Sequence, residues 1–185
     1  MKYSSILSFF FFLFFQISYS QDTSNRISPT RLHISKERSD SLAMHIPQAK
    51  GFINDYVQLF SDSETVTLDS IIRVYEKTTT VEIGVAVVNS SMVADQDFED
   101  YTLVMLRMWG LGKKEKNNGI LIVISPDLRR MRIQNGYGIE KVLSDAETKM
   151  IVENVFVPRF KEGKYFEGTR EGIIAITNQL QKNGL

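Results

Sequence analysis

The 185-residue sequence contains no cysteine, and this absence removes several classes of extracellular and metal-binding protein at once. Without cysteine there is no disulfide framework, no zinc site built from thiolates and no lipid-modified cysteine behind a signal peptide. Histidine is also scarce: His33 and His45 have neither cysteine neighbours nor the H-x-x-x-H spacing of a metal site. The folded chain must therefore depend on its hydrophobic core, and any metal would be held by oxygen ligands.

The sequence also has no excess of charge of either sign. It carries 22 basic and 22 acidic residues, and loss of Lys2 with the amino-terminal segment would leave 21 against 22, a net charge of about −1. Such a balance provides no electrostatic attraction to polyanions. We therefore expect the protein to bind neither nucleic acid nor anionic membrane surfaces.

Long apolar runs are missing except at the amino terminus, where residues 6–17 consist mostly of phenylalanine and other apolar side chains. This run follows a positive start at Lys2 and precedes small residues that end at Ser20, which is the pattern of a cleavable signal peptide. It is too short for a comfortable membrane span, which needs about 20 residues. We expect residues 1–20 to be removed before Gln21, and the mature protein to be exported, periplasmic or secreted, with no stable membrane span. An uncleaved anchor is the alternative.

The rest of the chain divides into a polar segment and one domain. Residues 21–47 are rich in Ser, Thr, Arg and Lys without sustained periodicity, which predicts a flexible linker. Residues 48–183 have the size and patterning of a single folded domain. Within it, capping boxes that begin at Ser61 and Ser144 predict two helix starts. The second of these helices is expected to end at Pro158.

Three segments of the domain have the pattern of β-strands. Residues 81–87 alternate between apolar and other side chains, residues 119–124 are continuously apolar, and residues 130–134 alternate again. A predicted helix over residues 95–109 connects the first two strands, which predicts that they are parallel. The turn chemistry of Ser125-Pro-Asp127 predicts that the third strand returns antiparallel. The expected class is therefore α/β, with a small mixed sheet and helices on both faces.

This topology brings polar residues together at the edge of the sheet where the second strand begins and its antiparallel partner ends. The residues that we expect to converge there are Glu82, Asn117, Asn118, Asn135, Glu140 and Asp145. Carboxylate, amide and carbonyl oxygens suit hard cations such as Ca²⁺ or Mg²⁺. The alternative is that Asn-Asn-Gly and Gly-Tyr-Gly are ordinary turns and that the two carboxylates are surface or capping residues. Spacing alone favours this second interpretation, because such turns are common.

Several short motifs follow one another in a recognisable order. They include Gly51-Phe-Ile-Asn-Asp55, Trp109-Gly-Leu-Gly-Lys113, Asn117-Asn-Gly119 and Gly136-Tyr-Gly-Ile-Glu140. Together they resemble the TPM domain family, which includes a plant thylakoid-lumen protein of photosystem II repair and many exported bacterial proteins. The resemblance covers roughly residues 47–183. It implies a three-layer α/β/α sandwich with Rossmann-like layering, and its first motif adds Asp55 to the candidate metal ligands.

The resemblance also bears on function, because members of the family are described either as acid phosphatases or as binders of divalent cations, notably Ca²⁺. The family usually has Asp-Asn-Gly where this chain has Asn117, so one carboxylate is absent here. We expect an exported, non-enzymatic module that binds Ca²⁺ or Mg²⁺ and acts with envelope proteins in their assembly or quality control. One alternative is a metal-dependent acid phosphatase in which Arg132 grips the phosphate. The other is a protein-interaction domain without metal.

Overall fold

A computed structural model of the protein describes residues 34–185. The predicted signal peptide, its cleavage site and His33 lie outside these residues. The four strands are β1 (Ile53–Asp55), β2 (Glu82–Val87), β3 (Gly119–Ser125) and β4 (Arg130–Asn135). The helices are α1 (Lys36–Ala43), α2 (Asp62–Thr79), α3 (Phe98–Trp109), α4 (Tyr137–Glu140), α5 (Asp145–Ile151), α6 (Val157–Lys161) and α7 (Tyr165–Lys182). No helix in the described part of the chain is long and apolar enough to cross a membrane.

The strands form one mixed sheet in the order β1-β2-β3-β4. The first three are parallel, and β4 runs antiparallel to β3 after a tight turn. The parallel pairing of β2 with β3 and the antiparallel return of β4 confirm the predicted topology. The three-residue strand β1 was not predicted, because it is too short to show a strand period.

Two hydrophobic cores lie on opposite faces of this sheet. On one face, Ile83, Val85 and Val87 of β2 pack among the apolar side chains of α2, α5, α6 and α7. On the other face, Ala86 of β2 and Val123 of β3 pack against α3 and the segment around α1. The alternation follows from the period of two in a strand. The protein is therefore a three-layer α/β/α sandwich, and the predicted fold class is confirmed.

The crossover helices α2 and α3 join successive parallel strands but cover opposite faces. Both connections move one place in the same direction across the sheet, so they have opposite hands, although right-handed connections predominate in proteins. The chain consequently leaves β1 toward one face and β2 toward the other. Open α/β sheets form a crevice at the carboxyl ends of two neighbouring parallel strands whose connections leave toward opposite faces.

Both predicted capping boxes are present. In the first, the Ser61 hydroxyl accepts a hydrogen bond from the Glu64 amide at 3.4 Å, and the Glu64 carboxylate accepts one from the Ser61 amide at 2.7 Å. Ser144 and Glu147 repeat this arrangement at the start of α5. Each box satisfies backbone N–H groups that the first turn of a helix leaves without partners.

The segment before the sheet differs from the expected linker over its described part. Residues 36–43 form α1, whose first turn is capped by the Ser35 hydroxyl accepting from the Arg38 amide at 3.2 Å. Tertiary contacts explain the helix, because Leu42 and Ala43 pack against the core beside α3. The sequence shows no periodicity here, since the helix is only eight residues long.

Pro158 does not end the helix that begins at α5. The chain stays helical to Lys161 through a π-helical turn at Val152–Phe156, and the proline lies at the start of α6. The first turn of a helix is where a missing N–H is tolerated. The π turn therefore allows the helix to continue past a residue that was expected to stop it.

Candidate functional site

The structure brings most of the predicted ligand residues to one edge of the sheet, which we call the N-terminal edge because β2 and β3 begin there. Glu82 at the start of β2 is opposite Gly119, and Asn135 at the end of β4 is opposite Ile120. Helix α4 follows β4 directly and ends at Glu140. Glu82 and Asn135 therefore share this edge, but Asn135 is opposite Ile120 on the α2 face, whereas Glu82 precedes Ile83 and points to the α3 face. The partners of each side chain decide what it can do.

Glu82 is committed to a salt bridge inside the protein. One carboxylate oxygen accepts a hydrogen bond from the Gly112 amide at 2.8 Å, and the other contacts the Lys113 ammonium, which also reaches Glu76 at 3.1 Å. Burial by itself would raise the pKa of Glu82, but the hydrogen bonds from Lys113 and Gly112 and the charge of Lys113 lower it. This carboxylate ties the loop after α3 to the start of β2, and its oxygens are occupied by these partners.

Asn118 is a structural residue of the same loop. Its side chain is buried, its Oδ1 accepts from the Lys113 amide at 2.8 Å, and its Nδ2 donates to the Thr80 carbonyl at 2.9 Å. The side chain therefore links the loop to the left-handed residue that ends α2. The side chain is thus used to fix the loop, as the turn interpretation of Asn-Asn-Gly expects for Asn118.

The glycines near Asn117 are required by close backbone packing. The Gly138 amide donates to the Asn117 carbonyl at 2.9 Å, and a Cβ on Gly136 would lie 2.3 Å from that carbonyl oxygen. A Cβ on Gly138 would lie 1.9 Å from the Lys116 carbonyl oxygen. Asn117 itself has a positive φ of 47°, a conformation that asparagine tolerates well. The Gly-Tyr-Gly motif thus lets two loops touch at this edge.

The other predicted ligands are Asn117, whose side chain is exposed, and Asn135, Glu140 and Asp145. The Asn135 amide nitrogen donates to the Thr148 hydroxyl of α5 at 3.0 Å, while its Oδ1 is buried and has no hydrogen-bond partner. Glu140 is exposed and Asp145 is half-buried in the first turn of α5. Neither carboxylate makes a side-chain hydrogen bond or ion pair within residues 34–185. Oxygen ligands are therefore available here, with one of them desolvated and unpaired.

The described residues contain no cluster of acidic or histidine side chains that could coordinate a metal ion. Nowhere in residues 34–185 do three or more His, Asp or Glu side chains come together in a way that could hold a metal ion. The predicted set fails this requirement because Glu82 is paired with Lys113, and because position 117 carries an amide.

Asp55 does not belong with the other predicted ligands. It ends β1 and is opposite Val87, five residues along β2 from Glu82, which places it about 16 Å away at the C-terminal edge of the parallel strands. Its carboxylate accepts hydrogen bonds from the Val57 amide at 3.1 Å and the Phe60 amide at 2.7 Å. This correction follows from β1, whose position in the sheet could not be derived from spacing.

The C-terminal edge, where β1, β2 and β3 end, also carries polar residues in the loops that follow these strands. Asp127 accepts from the Ser90 amide at 2.8 Å and from the Ser125 hydroxyl at 3.0 Å. Burial alone would raise the pKa of Asp127, but the hydrogen bonds from Ser90, Ser125 and Leu128 lower it. As at Asp55, the carboxylate is used to fix loops, so this edge contributes polar groups that already have partners.

Arg132 lies away from the N-terminal edge. It is opposite Val123, whose side chain packs in the core on the α3 face, and its Nε is 3.1 Å from a Glu99 carboxylate oxygen of α3. Along β4 it is about 10 Å from Asn135, and the odd spacing of three residues points the two side chains to opposite faces. The arrangement in which Arg132 grips a phosphate beside the candidate cation is therefore not formed.

The layer order, the mixed sheet and the glycine-rich loops at its edge define a three-layer α/β protein with polar residues in the loops at both edges of the sheet. The TPM domain model matches residues 53–179, and the chain belongs to that family. A search of curated proteins found no match.

Solved structures agree with this assignment. The N-terminal domain of a protein from P. gingivalis is 33% identical with a TM-score of 0.64, and the match covers 71% of this chain and 82% of that one. The BA42 protein from the psychrophilic bacterium Bizionia argentinensis is 23% identical with a TM-score of 0.60, over 69% and 86% of the two chains. An N-terminal domain from Corynebacterium glutamicum is 16% identical with a TM-score of 0.50, over 75% and 84%. The last two support the fold alone.

Proposed function

We propose that this TPM-domain protein is exported and binds a divalent cation, Ca²⁺ or Mg²⁺, at the N-terminal edge of its sheet. We propose further that it takes part in the assembly or quality control of envelope proteins without catalysing a reaction. The single observation that carries the cation proposal is the Asn135 side chain, whose buried Oδ1 has no hydrogen-bond partner. A desolvated, unpaired amide oxygen costs about 1–3 kcal/mol, which a cation or an ordered water would relieve.

The neighbouring groups fit a cation better than an anion. Asp145 and Glu140 supply carboxylates, and neither is neutralised by a lysine or arginine within the described residues. Hard cations such as Ca²⁺ accept a mixture of carboxylate, amide and water oxygens. Two carboxylates give a weak site, and extracellular calcium modules work with dissociation constants of about 10⁻⁴–10⁻³ M. The predicted export of the chain would place the site where such affinities suffice.

The proposal is tested by thermal unfolding of metal-free mature protein with and without millimolar Ca²⁺ or Mg²⁺. A cation that binds only the folded state raises the melting temperature, and at about ten times its dissociation constant it stabilises the folded state by about 1.4 kcal/mol. The double variant Glu140→Gln/Asp145→Asn should lose this cation-dependent increase. Glu167→Gln, which removes an exposed carboxylate of α7, is the matched control and should keep it. An unchanged melting temperature for the wild-type protein would refute cation binding.

The absence of a catalytic pair within the described residues supports the non-enzymatic part. His45, the histidine in residues 34–185, is exposed beside α1, and its Nδ1 lies 3.2 Å from the Ser41 carbonyl. Ser90 and Ser91 lie in a loop whose bonds go to Asp127 and Asn89. The phosphatase alternative predicts that clean protein hydrolyses a generic phosphate ester and loses activity in Glu140→Ala. Inactive wild-type protein that still binds Ca²⁺ would favour the proposal made here.

A further inference from the structure

Residues 34–50, which we call the strap, lie across the α3 face and are anchored there through backbone carbonyls. Each of three aromatic side chains of the domain donates one hydrogen bond to a strap carbonyl. The bonds run from Tyr101 to His45, from Trp109 to Pro47 and from Tyr56 to Gln48, at 3.1, 2.9 and 2.8 Å. Bonds to backbone carbonyls do not depend on the side chains that the bound segment carries. This is how peptide-binding surfaces obtain affinity for a main chain.

Two further contacts give the strap specificity. Arg38 of α1 reaches the acidic beginning of α3, with one guanidinium nitrogen 2.9 Å from Asp97 and another 2.5 Å from Asp100. Ile46 is buried, with 8% of its surface exposed, in the core beneath α3. The surface under the strap thus recognises a basic side chain, an apolar side chain and a short run of carbonyls, in that order along the chain.

The strap is peripheral to the core, because Ile46 is the one buried residue among residues 34–50. Helix α1 has eight residues and none of them is buried, and helices this short are marginal without tertiary support. Residues 48–51, which join the strap to β1, are all exposed. The family match begins at residue 53, so the strap lies outside the part of the chain that the family model covers. A peripheral segment with few buried contacts opens at lower free energy than the core.

We propose that the surface beneath the strap is a peptide-binding groove, that the strap occupies it within the free protein, and that a segment of a partner protein replaces it. The partner segment has the chemistry of the strap: a short helix that presents an arginine to Asp97 and Asp100, then an apolar residue in place of Ile46, then extended backbone. The strap therefore acts as an intramolecular competitor that sets the threshold for partner binding. This proposal is independent of the cation site, which is on another part of the sheet.

The lone tryptophan, Trp109, provides the readout, because its indole N–H bonds to the strap. The double variant Arg38→Glu/Ile46→Ala of the chain from Gln21 onward should release the strap and shift the Trp109 emission to the red. A synthetic peptide of residues 34–50 should reverse this shift and bind the variant at least tenfold more tightly than the wild-type chain. Lys36→Glu is the matched control, since Lys36 pairs with Asp40 of its own helix, and it should behave as wild type.

A second variant keeps the proposal falsifiable if the first one does not fold. A protease site placed between Gln48 and Lys50 of the chain that begins at Gln21 cuts the strap free while leaving every contact in place. The groove proposal predicts that the cut strap exchanges with labelled peptide while the domain stays folded. Unfolding of the domain on cutting, or failure of the peptide to exchange, would overturn it. Dimers of the opened variant without a gain in peptide affinity would identify a second copy as the occupant, which would also overturn it.

Discussion

At the scale of single residues, the N-terminal edge shows how one asparagine can be structural while another is left with a free ligand atom. Asn118 bonds to Lys113 on one side and Thr80 on the other. Asn135 bonds to Thr148 through its nitrogen alone. Both residues are asparagines at the same edge of the sheet, and they differ in the hydrogen-bond partners of their side chains. Their roles must therefore be separated by different measurements, stability for the first and cation response for the second.

Replacing Asn118 should reduce the stability of the fold. Asn118→Ala leaves the Lys113 amide and the Thr80 carbonyl without these partners at part-buried positions, which should cost roughly 1–3 kcal/mol. Urea unfolding at neutral pH measures this loss. Asn117→Gly is the control: its positive φ suits glycine, so stability should stay within about 0.5 kcal/mol of the wild-type value. Equal losses in both variants would contradict the structural role given to Asn118.

The carboxylate of Glu147 should make the protein sensitive to acid. Hydrogen bonds from the Ser144 hydroxyl and then from Asn183 lower the pKa of Glu147 from 4.5 to about 2. A lowered pKa stabilises the folded state above pH 4.5, and this stabilisation disappears as the pH falls from 4.5 toward 2. The difference in urea midpoint between wild type and Glu147→Gln should therefore shrink over that interval. A constant difference would show that Glu147 does not titrate as its bonds imply.

The sequence predicts at which edge several candidate residues lie but not the partners of their side chains. The parallel pairing of β2 with β3 and the antiparallel return of β4 follow from hydrophobic periodicity and turn chemistry, and they bring Glu82 and Asn135 to the same edge. The partner of Glu82 is Lys113, which lies in a loop whose path depends on Gly112 at φ 93°. Periodicity carries no information about such a loop. The sequence could therefore predict that Glu82 and Asn135 share an edge and not which of their oxygens have partners.

At the scale of elements, two glycines of α7 allow the aromatic side chains of the preceding helical segment to approach closely. A Cβ on Gly172 would lie 2.0 Å from the Phe156 ring, and one on Gly168 would lie 2.7 Å from the Phe160 ring. The Phe156 and Phe160 rings are themselves packed edge to face at 5.8 Å between centroids. The spacing of four residues places both glycines on one face of the helix. This Gly-x-x-x-Gly motif is thus a packing device within the core.

Replacement of Gly172 by alanine should disturb this packing despite the better helix propensity of alanine. The added methyl group must displace the Phe156 ring, and overpacking of this kind costs about 1–3 kcal/mol. Thermal or urea unfolding gives the magnitude. Gly51→Ala is the control, because a Cβ there meets no atom within 4 Å. The stability of this variant should be equal to or slightly higher than that of the wild type. Stability equal to wild type in Gly172→Ala would show that the rings can move aside.

Local signals predicted some elements and tertiary contacts determined the others. The capping boxes at Ser61 and Ser144 predicted both helix starts, because a capping box is formed within four residues. By contrast, α1 forms because Arg38 and Leu42 find partners on the distant α3 face. Pro158 was expected to end a helix, and the π turn that accommodates it has no sequence pattern that we could identify. Elements that depend on distant partners are those the sequence could not predict.

At the scale of the whole molecule, the amino terminus determines where the proposed function could operate. A weak Ca²⁺ site is useful only where calcium is abundant, so the function depends on export. We predict that intact-mass analysis of protein from the producing cells finds a chain that begins at Gln21, outside the cytoplasm. Protein that retains Met1 in the membrane fraction would indicate the uncleaved anchor, and the account of a freely exported module would be wrong.

The fold gives the molecule two separate polar regions and one covered face. The C-terminal edge uses Asp55 and Asp127 to fix loops, and the N-terminal edge retains the unpaired oxygen of Asn135. The strap covers the α3 face. Cation binding and peptide binding are thus assigned to different surfaces. An experiment that disproves cation binding therefore leaves the peptide-binding proposal untouched, and the reverse also holds.

The most direct test of the cation site is a ¹H–¹⁵N NMR titration of the metal-free mature chain with Ca²⁺. We predict that amide shifts concentrate at the N-terminal edge, around Asn135 and Asp145, and that the amides near Asp55 and Asp127 stay unchanged. The exchange should be fast, as expected for a dissociation constant of about 10⁻⁴–10⁻³ M. Shifts confined to Asp55 and Asp127, or no shifts at millimolar Ca²⁺, would contradict the account.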